Sequence, residues 1–317
     1  MTRRKQSRRA SVFRLSLPAT SANLGPAFDA AALAFDLHLK LEARPALDYS
    51  TRATGRDSDI CGNLENHLIL NTYREVLRAE GQQPSPLALK IRNEIPIGKG
   101  CGSSAAARLA GIALANHYGD LRWSDARIIG EASRREHHPD NASACWMGGL
   151  TVARMLGEAE AQAARIRLKG KWPLVLAVPS QPLSTEEARR VLPAQYCRAD
   201  AVVNIQNSML LLAAFTQGRG DFLRAALEDR IHQPYRASLC PLLPALQELA
   251  GTPGIVGAVL SGAGPSVLMF LDPRSKTSAK KIAAQVAAHL NQKSLSAELL
   301  LTAIAETGAA GPNETRR

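Results

Sequence analysis

The sequence is poor in aromatic residues and lacks any long apolar run. Phe, Trp and Tyr make up 4% of its 317 residues, so aliphatic side chains and alanine must fill the core. No segment approaches the roughly 20 apolar residues that a membrane-spanning helix needs. The basic first ten residues lead into a strand-like segment, not into the apolar stretch of a secretory signal. We therefore expect no membrane partner and a cytoplasmic location.

Paired cysteines are absent as well. The five cysteines are scattered along the chain without a CxxC pair, at Cys61, Cys101, Cys145, Cys197 and Cys240. This pattern predicts buried thiols in a reducing compartment, and it argues against both a disulfide framework and a zinc site.

Acidic residues are too few to balance the basic ones. The chain has 39 Lys and Arg against 28 Asp and Glu, which gives a formal net charge of +11. A basic protein can bind nucleic acid, but RNA recognition usually needs aromatic stacking platforms, and aromatic residues are scarce here. We expect no nucleic-acid partner, and an anionic small substrate as the more natural counterpart of the charge.

Strand and helix patterns are mixed along the chain. Apolar alternation predicts half-buried strands at 33–42 and 87–93, while apolar runs predict a buried strand at 172–180 and two strands around a glycine loop at 254–271. Predicted helices are Glu65–Glu80, Ser103–His117, Asp200–Gln217, Asp221–His232 and Thr277–Asn291. Because strands and helices do not alternate regularly, the pattern favours an α+β protein over a doubly wound one.

Composition also divides the chain into segments. Residues 1–10 are predicted to form a disordered basic tail, and residues 308–317 a second disordered tail. Between them, the best candidate for a domain boundary lies near Gly170–Pro173. The expected division is an N-terminal domain at 11–169 and a C-terminal domain at 170–307.

A glycine- and serine-rich stretch at 95–116, IPIGKGCGSSAAARLAGIALAN, precedes a predicted helix. Its alternate glycines, Gly98, Gly100 and Gly102, allow backbone conformations that other residues avoid, and they let the chain approach a ligand closely. The first turn of the following helix would offer unpaired N–H groups to phosphate. A hydroxyl of Ser103 or Ser104 could reach a magnesium ion. The alternative is a turn before a core helix.

Three known loop motifs fit this stretch poorly. A Walker loop is excluded because Lys99 precedes Gly100. The dinucleotide pattern GxGxxA is formally met by Gly100, Gly102 and Ala105, but it also needs an acidic residue that closes a second strand. Asp120 lies near the required distance, yet it follows a helix end. A nucleophile elbow, GxSxG, is absent.

Three small-residue loops together resemble the motifs of the GHMP kinases, the superfamily of galactokinase, homoserine kinase, mevalonate kinase and phosphomevalonate kinase. They are LPATSANLGPAFDAAALAF at 17–35, PIGKGCGSSAA at 96–106 and LSGAGPSVLMF at 260–270. Order and spacing match, and the resemblance extends from about Val12 to Ala305. It implies a two-domain fold, N-terminal ribosomal protein S5 domain 2-like and C-terminal ferredoxin-like. The active site would lie between the domains, and a homodimer is expected.

Further segments are similar to the homoserine kinase subfamily. They are HPDN at 138–141, STEEARRVLP at 184–193 and DRIHQPYR at 229–236. Ala27, Cys101 and the missing proline after Asn141 depart from its pattern. The resemblance implies ATP-dependent phosphorylation of the side-chain hydroxyl of L-homoserine to O-phospho-L-homoserine, a step of threonine biosynthesis. The alternatives are a GHMP kinase for another small alcohol, or a non-catalytic regulatory or RNA-binding relative.

An amino-acid substrate needs a cation for its carboxylate and an anion or amide for its ammonium group. Planar guanidinium groups suit the carboxylate. The predicted substrate-binding residues are Arg189 and Arg236 for the carboxylate, Asp29 and Asn23 for the ammonium group, His138 near the hydroxyl, and Thr185 by resemblance. Three other roles stay open: Arg189 as a solvated helix residue, Arg236 paired with Asp229, and His138 as a brace of its loop.

The resemblance also implies ATP and Mg²⁺ as cofactors. The predicted catalytic residues are Asn141, which orients the hydroxyl, Asp140, whose role as a general base is left open, and Glu136. Ser104 and Glu136 are expected to hold the metal, with Glu131 as the alternative carboxylate. The predicted ATP contacts are Asn66, Pro96, Gly98, Lys99, Gly100, Cys101, Gly102, Ser103, Ser104 and Ala105, with Asn63 as the alternative to Asn66 at the adenine pocket. Cys101 is expected to pack as a small apolar residue.

Overall fold

The computed structural model describes residues 12–309. The predicted basic tail at 1–10 lies outside the described residues, as do residues 310–317 of the predicted C-terminal tail. Ala309 is packed against the protein, with its backbone N–H donating to Trp146 O at 2.9 Å. Within 12–309, none of the helices combines the length and apolar character that crossing a bilayer requires. The division into domains stays a prediction.

The first half of the chain forms a six-stranded sheet. Its strands are β1 (Phe13–Ala22), β2 (Ala31–Pro45), β3 (Ser50–Gly55), β4 (Leu87–Asn93), β5 (Leu150–Leu156) and β6 (Glu160–Ile166). The order is β3-β4-β2-β5-β6, and β1 also pairs with β2. Strands β3 and β4 are parallel, and the other pairs are antiparallel. In β2 the predicted alternation is confirmed, since Leu39 and Leu41 are buried and Lys40 between them is exposed.

Five helices accompany this sheet, of which α3 is the central one. They are α1 (Ser58–Gly62), α2 (Leu68–Ala79), α3 (Ser103–Tyr118), α4 (Asp125–Glu136) and α5 (Asp140–Met147). Helix α3 is apolar on nearly every side and contributes ten buried residues, as expected for a helix inside a core. It packs tightly on α2, since a Cβ on Gly111 would lie 2.6 Å from Ile69 O. The helix that begins at the glycine loop is therefore anchored firmly.

The second half of the chain forms a four-stranded antiparallel sheet. Its strands are β7 (Pro173–Val178), β8 (Ile255–Leu260), β9 (Val267–Leu271) and β10 (Glu298–Ala303), in the order β10-β7-β9-β8. The helices are α6 (Thr185–Arg190), α7 (Arg198–Gln217), α8 (Gly220–Ala226), α9 (Gln233–Arg236), α10 (Leu242–Gln247) and α11 (Ala279–Gln292), with a short 3-10 turn at Ala237–Leu239. This strand order is that of a ferredoxin-like domain, and the predicted α+β class is confirmed.

The larger core is shared by both halves of the chain. It contains Leu17 and Leu109 from the first half together with Phe215 and Phe270 from the second. A smaller core lies between the second sheet and helices α10 and α11, and includes Leu246, Met269 and Val286. Because the larger core is continuous, the two sheets are held against each other and a cleft between them has fixed walls.

The prediction of a helix at Asp221–His232 is wrong for the second half of that range. Helix α8 ends at Ala226, and a turn follows before α9. The carboxylate of Asp229 accepts hydrogen bonds from the backbone N–H groups of Ile231, His232 and Gln233. An aspartate that bonds nearby amides in this way competes with helix formation. The turn allows α9 to start in a new direction.

The cysteines are all free, as predicted, but not all are buried. Cys101, Cys145 and Cys240 are buried, Cys61 is partly buried, and Cys197 is exposed. Cys197 precedes α7, and its Sγ accepts the backbone N–H of Asp200 at 3.4 Å. The expectation of a buried thiol is therefore wrong at Cys197, because this side chain caps a helix at the surface.

Candidate active site

A cavity of about 730 Å³ opens between the glycine loop, the β1–β2 turn and helices α5, α6 and α9. Most residues predicted to form a site line it, although their positions span more than 200 residues of sequence. They are Asn23, Asp29, Asn66, Gly98, Gly100, Cys101, Gly102, Ser103, Ser104, Glu136, His138, Asp140, Asn141, Thr185, Arg189 and Arg236. Pro96, Lys99 and Ala105 lie outside its lining. Lys99 is directed away and donates to Ser180 O, and Ala105 is in the core.

The glycine loop has the geometry of an anion-binding turn. Gly98, Gly100 and Gly102 have φ values of 69°, 74° and 70°, which are left-handed conformations that other residues rarely adopt. A Cβ on Gly100 would lie 2.1 Å from the backbone oxygen of Ser261, whose own hydroxyl donates to Gly100 O at 2.8 Å. The loop thus delivers the N-terminus of α3, with its free N–H groups, to the cavity.

Cys101 is a structural part of this loop. It is buried, and burial raises the pKa of its thiol to about 12, so the side chain is neutral. Its backbone oxygen accepts the N–H of Thr20 at 3.1 Å. This environment agrees with the expectation of a small apolar residue.

Glu136, the last residue of α4, lies beside the start of α3, and Glu131 does not. The hydroxyl of Ser104 donates to Glu136 Oε1 at 2.6 Å, and Arg108 Nε donates to the same oxygen at 2.5 Å. Glu131, on the same helix, is buried between Arg134 and Arg135 outside the cavity lining. A carboxylate beside a hydroxyl offers the oxygen ligands that Mg²⁺ prefers. Ser104 and Glu136 could therefore hold a magnesium ion in the cavity, whereas Glu131 lies outside its lining.

The HPDN turn connects α4 to α5. One carboxylate oxygen of Asp140 holds two groups of this turn. Asp140 Oδ1 lies 2.6 Å from His138 Nδ1 and also accepts the backbone N–H of Asn141 at 2.6 Å. Both His138 and Asp140 are buried. Although burial by itself favours the neutral ring, the hydrogen bond and charge of Asp140 raise the pKa of His138 above its ordinary value. Asp140 therefore braces the turn and the histidine.

Asp29 and Arg189 form an ion pair in the lining of the cavity. Arg189 Nη2 donates to Asp29 Oδ1 at 2.6 Å. Asn23 supports Asp29, because its Oδ1 accepts the backbone N–H of Asp29 at 2.9 Å while its Nδ2 donates to Gly262 O at 2.9 Å. Asn23 is thus engaged within the protein, whereas both charges of the Asp29–Arg189 pair line the cavity.

Arg236 is a buried cation without a carboxylate partner in the described part of the chain. Its side chain is 1% exposed, Nε donates to Ala188 O at 2.9 Å, and Nη1 donates to His232 Nδ1 at 3.1 Å. The alternative pairing with Asp229 is not found, since that carboxylate bonds backbone amides. Burial, together with the positive charge of Arg189, lowers the pKa of Arg236 to about 10, so it remains charged at neutral pH.

Two residues that the sequence analysis missed support this arrangement. His232 Nε2 lies 2.8 Å from Gly25 O and donates to it, so the neutral ring presents Nδ1 to Arg236 as an acceptor. Burial lowers the pKa of His232, which keeps the ring neutral. The hydroxyl of Thr20 donates a hydrogen bond to Asn141 Oδ1. The spacing of His232 and Arg236, four residues apart, could have indicated the first contact, but no local pattern indicates the second.

Comparisons with known proteins agree with this geometry. The GHMP kinases N-terminal domain model matches residues 67–149, and the GHMP kinases C-terminal model matches residues 211–292. The chain is 43% identical over 262 residues to a homoserine kinase of Solibacter usitatus, which covers 83% of this chain and 86% of that protein. The chain belongs to the homoserine kinase family of the GHMP kinases. A second family member, from Synechococcus, is 36% identical over 305 residues, with 95% of this chain and 98% of that protein covered.

The fold of the family is shared over almost the whole chain. The crystal structure of homoserine kinase from Cytophaga hutchinsonii superposes with a TM-score of 0.79, at 21% identity, and covers 95% of this chain and 97% of that one. The predicted two-domain GHMP kinase fold is thereby confirmed.

Proposed function

We propose that this chain transfers the γ-phosphoryl group of ATP to the side-chain hydroxyl of L-homoserine, giving O-phospho-L-homoserine and ADP for threonine biosynthesis. One observation carries the proposal beyond the family names. A glycine loop suited to phosphates shares its cavity with Arg236, a buried cation free of any carboxylate partner among residues 12–309, and with the Asp29–Arg189 ion pair. These charges complement a zwitterionic amino acid.

The acceptor end would bind the substrate through both of its charges. A buried charge is costly unless it is paired, and the substrate carboxylate would supply the partner that Arg236 lacks. Arg189 would add a second guanidinium group, and Asp29 would receive the ammonium group. The centre of the Phe28 ring lies 5.4 Å from the guanidinium carbon of each arginine and provides a flat wall beside both. Thr185, at the start of α6, lines the same end.

The phosphate end would hold ATP through backbone N–H groups at the start of α3. Ser104 and Glu136 would hold Mg²⁺, which supplies positive charge to the phosphates when bound. Arg108, bonded to Glu136, keeps that carboxylate oriented. Asn66 lines the cavity on the side of α1 and α2, where the adenine contact is expected.

The reacting hydroxyl would lie near Asn141. In the transfer, the hydroxyl oxygen forms a bond to the γ-phosphorus, the bond to the ADP oxygen breaks, and the hydroxyl proton is released. Asn141 would orient the hydroxyl by a hydrogen bond. Since Asp140 Oδ1 already receives His138 and the N–H of Asn141, we propose that Asp140 fixes these residues in place and is not the general base.

A coupled ADP-release assay tests the function directly. Homoserine, mevalonate, galactose and shikimate would be compared as acceptors at equal concentration with ATP and Mg²⁺. We expect homoserine to be preferred by at least about 100-fold, because only an amino acid satisfies Arg236 and Asp29 together. Equal turnover of another alcohol would favour a GHMP kinase of different specificity. RNA binding without any acceptor-dependent turnover would favour a non-catalytic relative.

A homodimer is the proposed assembly. On α7, Val202, Ile205 and Met209 form an apolar stripe at helical spacing and are 45%, 60% and 64% exposed. A second copy could cover this stripe about a two-fold axis. We expect Ile205→Glu to convert a dimer to a monomer in analytical ultracentrifugation, and a wild-type monomer at micromolar concentration would contradict the assembly. The cytoplasmic location and the lack of a nucleic-acid partner stay predictions from composition.

A further inference from the structure

Thr20 lies where three parts of the site meet. It belongs to β1 and is fully buried. Its hydroxyl donates to Asn141 Oδ1 at 2.6 Å, and its backbone N–H donates to Cys101 O at 3.1 Å. One residue therefore contacts both the glycine loop and the start of α5.

Gly102 leaves the space in which the Thr20–Asn141 hydrogen bond forms. A Cβ on Gly102 would lie 1.9 Å from Thr20 Oγ1 and 3.3 Å from Asn141 Oδ1. Any side chain on Gly102 would displace the threonine hydroxyl. The bond between Thr20 and Asn141 thus depends on the glycine that precedes α3.

The hydroxyl of Thr20 also decides which way the Asn141 amide faces. A side-chain amide has one accepting oxygen and one donating nitrogen. Asn141 Oδ1 is the acceptor of the Thr20 hydroxyl in the described structure. If the amide turned over, Nδ2 could donate to the Thr20 oxygen, but the buried hydroxyl proton would then have no acceptor among the described residues, which is unfavourable. Asn141 Nδ2, which has no partner among the described residues, therefore remains available to the cavity that Asn141 lines.

We propose that Thr20 is a positioning residue for phosphoryl transfer. It holds the Asn141 amide so that Nδ2 donates to the oxygen of the acceptor hydroxyl, and it ties that amide to the loop that binds the phosphates. The distance between the two reacting groups is thereby set by one side chain and its backbone. This inference rests on the proposed kinase function, and specifically on the acceptor hydroxyl lying beside Asn141.

The first test separates positioning from folding. Thr20→Val keeps the shape but removes the hydroxyl, and Thr20→Ser keeps the hydroxyl. We expect Thr20→Val to lower kcat by about 10- to 100-fold, because misplaced reactants lose rate steeply. The KM for ATP should stay within about twofold, since the phosphate loop itself is unchanged, and Thr20→Ser should recover most of the rate.

Thr72 supplies a matched control. It is also buried, but its hydroxyl has no hydrogen-bond partner in the described structure. Thr72→Val should keep kcat within about twofold of wild type. Equal losses of kcat in Thr20→Val and Thr72→Val, or no rescue by Thr20→Ser, would overturn the inference.

A double-mutant cycle shows whether Thr20 acts through Asn141. If it does, Thr20→Val should cause no further loss of kcat in an Asn141→Ala background. Losses that multiply would overturn the inference. The cycle is measured with the alcohol that the wild-type protein phosphorylates best. Failure of wild type to prefer homoserine would therefore refute the proposed substrate and leave the comparison of Thr20 variants intact.

A second readout needs no turnover. The side-chain amide resonances of Asn141 can be identified in a ¹⁵N-labelled protein by their loss in Asn141→Ala. We expect them to shift in Thr20→Val and to stay near their wild-type positions in Thr20→Ser and Thr72→Val. Unchanged Asn141 resonances in Thr20→Val would show that the hydroxyl does not hold the amide.

Discussion

The two ends of the cavity are built in different ways. At the phosphate end the loop and the start of α3 form one continuous stretch, to which Glu136 and Asn66 are added from other segments. The working groups of this end are mainly backbone N–H groups that the glycines and the start of α3 expose. The acceptor end uses side chains from separate segments, including Asp29, His138, Arg189 and Arg236, held by buried or partly buried hydrogen bonds. Local geometry thus makes one end and tertiary packing makes the other. Substitutions should accordingly damage the two ends by different mechanisms.

The largest effect is expected from Gly100→Ala at the phosphate end. The new Cβ would lie 2.1 Å from Ser261 O and 2.6 Å from Gly264 O, at a φ of +74°. We expect turnover to fall at least about 100-fold as the loop is displaced, and the free energy of unfolding to fall by about 2–4 kcal/mol. ADP release and urea denaturation measure the two effects.

Gly81→Ala is the matched control for this change. Gly81 also has a positive φ, +70°, but a Cβ there would meet nothing within 4 Å. The Gly81→Ala variant should lose about 1–2 kcal/mol of its free energy of unfolding from backbone strain alone and keep full activity. If Gly100→Ala behaved like Gly81→Ala, close packing of the loop would be irrelevant to function.

At the acceptor end, Arg236→Met should act on the amino acid and not on the nucleotide. We expect the KM for homoserine to rise about 100-fold, which corresponds to a charge-assisted hydrogen bond of roughly 2–3 kcal/mol, with the KM for ATP nearly unchanged. Stability should be kept or increased, because a buried cation without a carboxylate partner is removed. Arg230→Met, at a surface arginine paired with Glu228, is the control. An unchanged homoserine KM would remove Arg236 from the binding site.

A smaller contrast is expected between two glutamates of α4. Glu136→Gln should raise the Mg²⁺ concentration required for half-maximal turnover by about 10-fold. Glu131→Gln should leave that requirement unchanged and lower stability by about 1–3 kcal/mol, because two arginine partners are lost. Titration of activity with Mg²⁺ and thermal unfolding distinguish the two variants. A higher Mg²⁺ requirement in Glu131→Gln would reverse the assignment.

The stabilisation by Glu131 should depend on pH. Burial alone would raise the pKa of Glu131, but hydrogen bonds from Arg134 and Arg135 outweigh it and lower the pKa below 4.5. A lowered pKa in the folded state gives stability that is complete above the unfolded pKa and is lost as the pH falls through the folded pKa. The stability difference between wild type and Glu131→Gln should therefore shrink in acid.

The smallest effect concerns the charge of His138. Its pKa is raised above 6.5, so protonated His138 stabilises the fold most at low pH, and this contribution is lost as the pH rises through the folded pKa. In an NMR titration, His138 should titrate above 6.5 and shift downward in Asp140→Asn. His232, whose pKa burial lowers, should stay neutral between pH 6 and 8. Titration of His138 below 6.5 would contradict its bond to Asp140.

The phosphate end could be predicted from sequence because its determinants are local. The local pattern is a set of alternate glycines followed by two serines and a run of alanines. It indicates the backbone conformation and the start of the helix within a few residues. The structure shows a positive φ at each of these glycines. Strands β2 and β4 were also predictable, since their apolar alternation reflects one buried face, whereas β1, β3, β5, β6 and β10 were not predicted. Such patterns need no knowledge of distant partners.

The partners of the acceptor end could not be predicted in the same way. Asp229 lies near Arg236 in sequence and suggested an ion pair, but its oxygens bond the amides of a turn, so His232 takes the place beside Arg236. The turn at Asp229 also lies where the predicted helix Asp221–His232 would have continued, and α8 ends before it at Ala226. Thr20 and Asn141 are 121 residues apart, and only the packed fold brings them together. The family motifs identified Arg236 and Asn141 but not their partners His232 and Thr20.

The ion pair between Asp29 and Arg189 has a consequence for discrimination among ligands. Before a substrate arrives, Asp29 and Arg189 already neutralise each other, whereas Arg236 has no carboxylate partner among the described residues. A ligand with only an ammonium group would separate Asp29 from Arg189 and leave that guanidinium group unpaired, and a ligand with only a carboxylate would gain nothing from Asp29. A zwitterion replaces both halves at once. Under the proposed function, the pair would favour free amino acids over simple acids, amines and alcohols that are otherwise of suitable size.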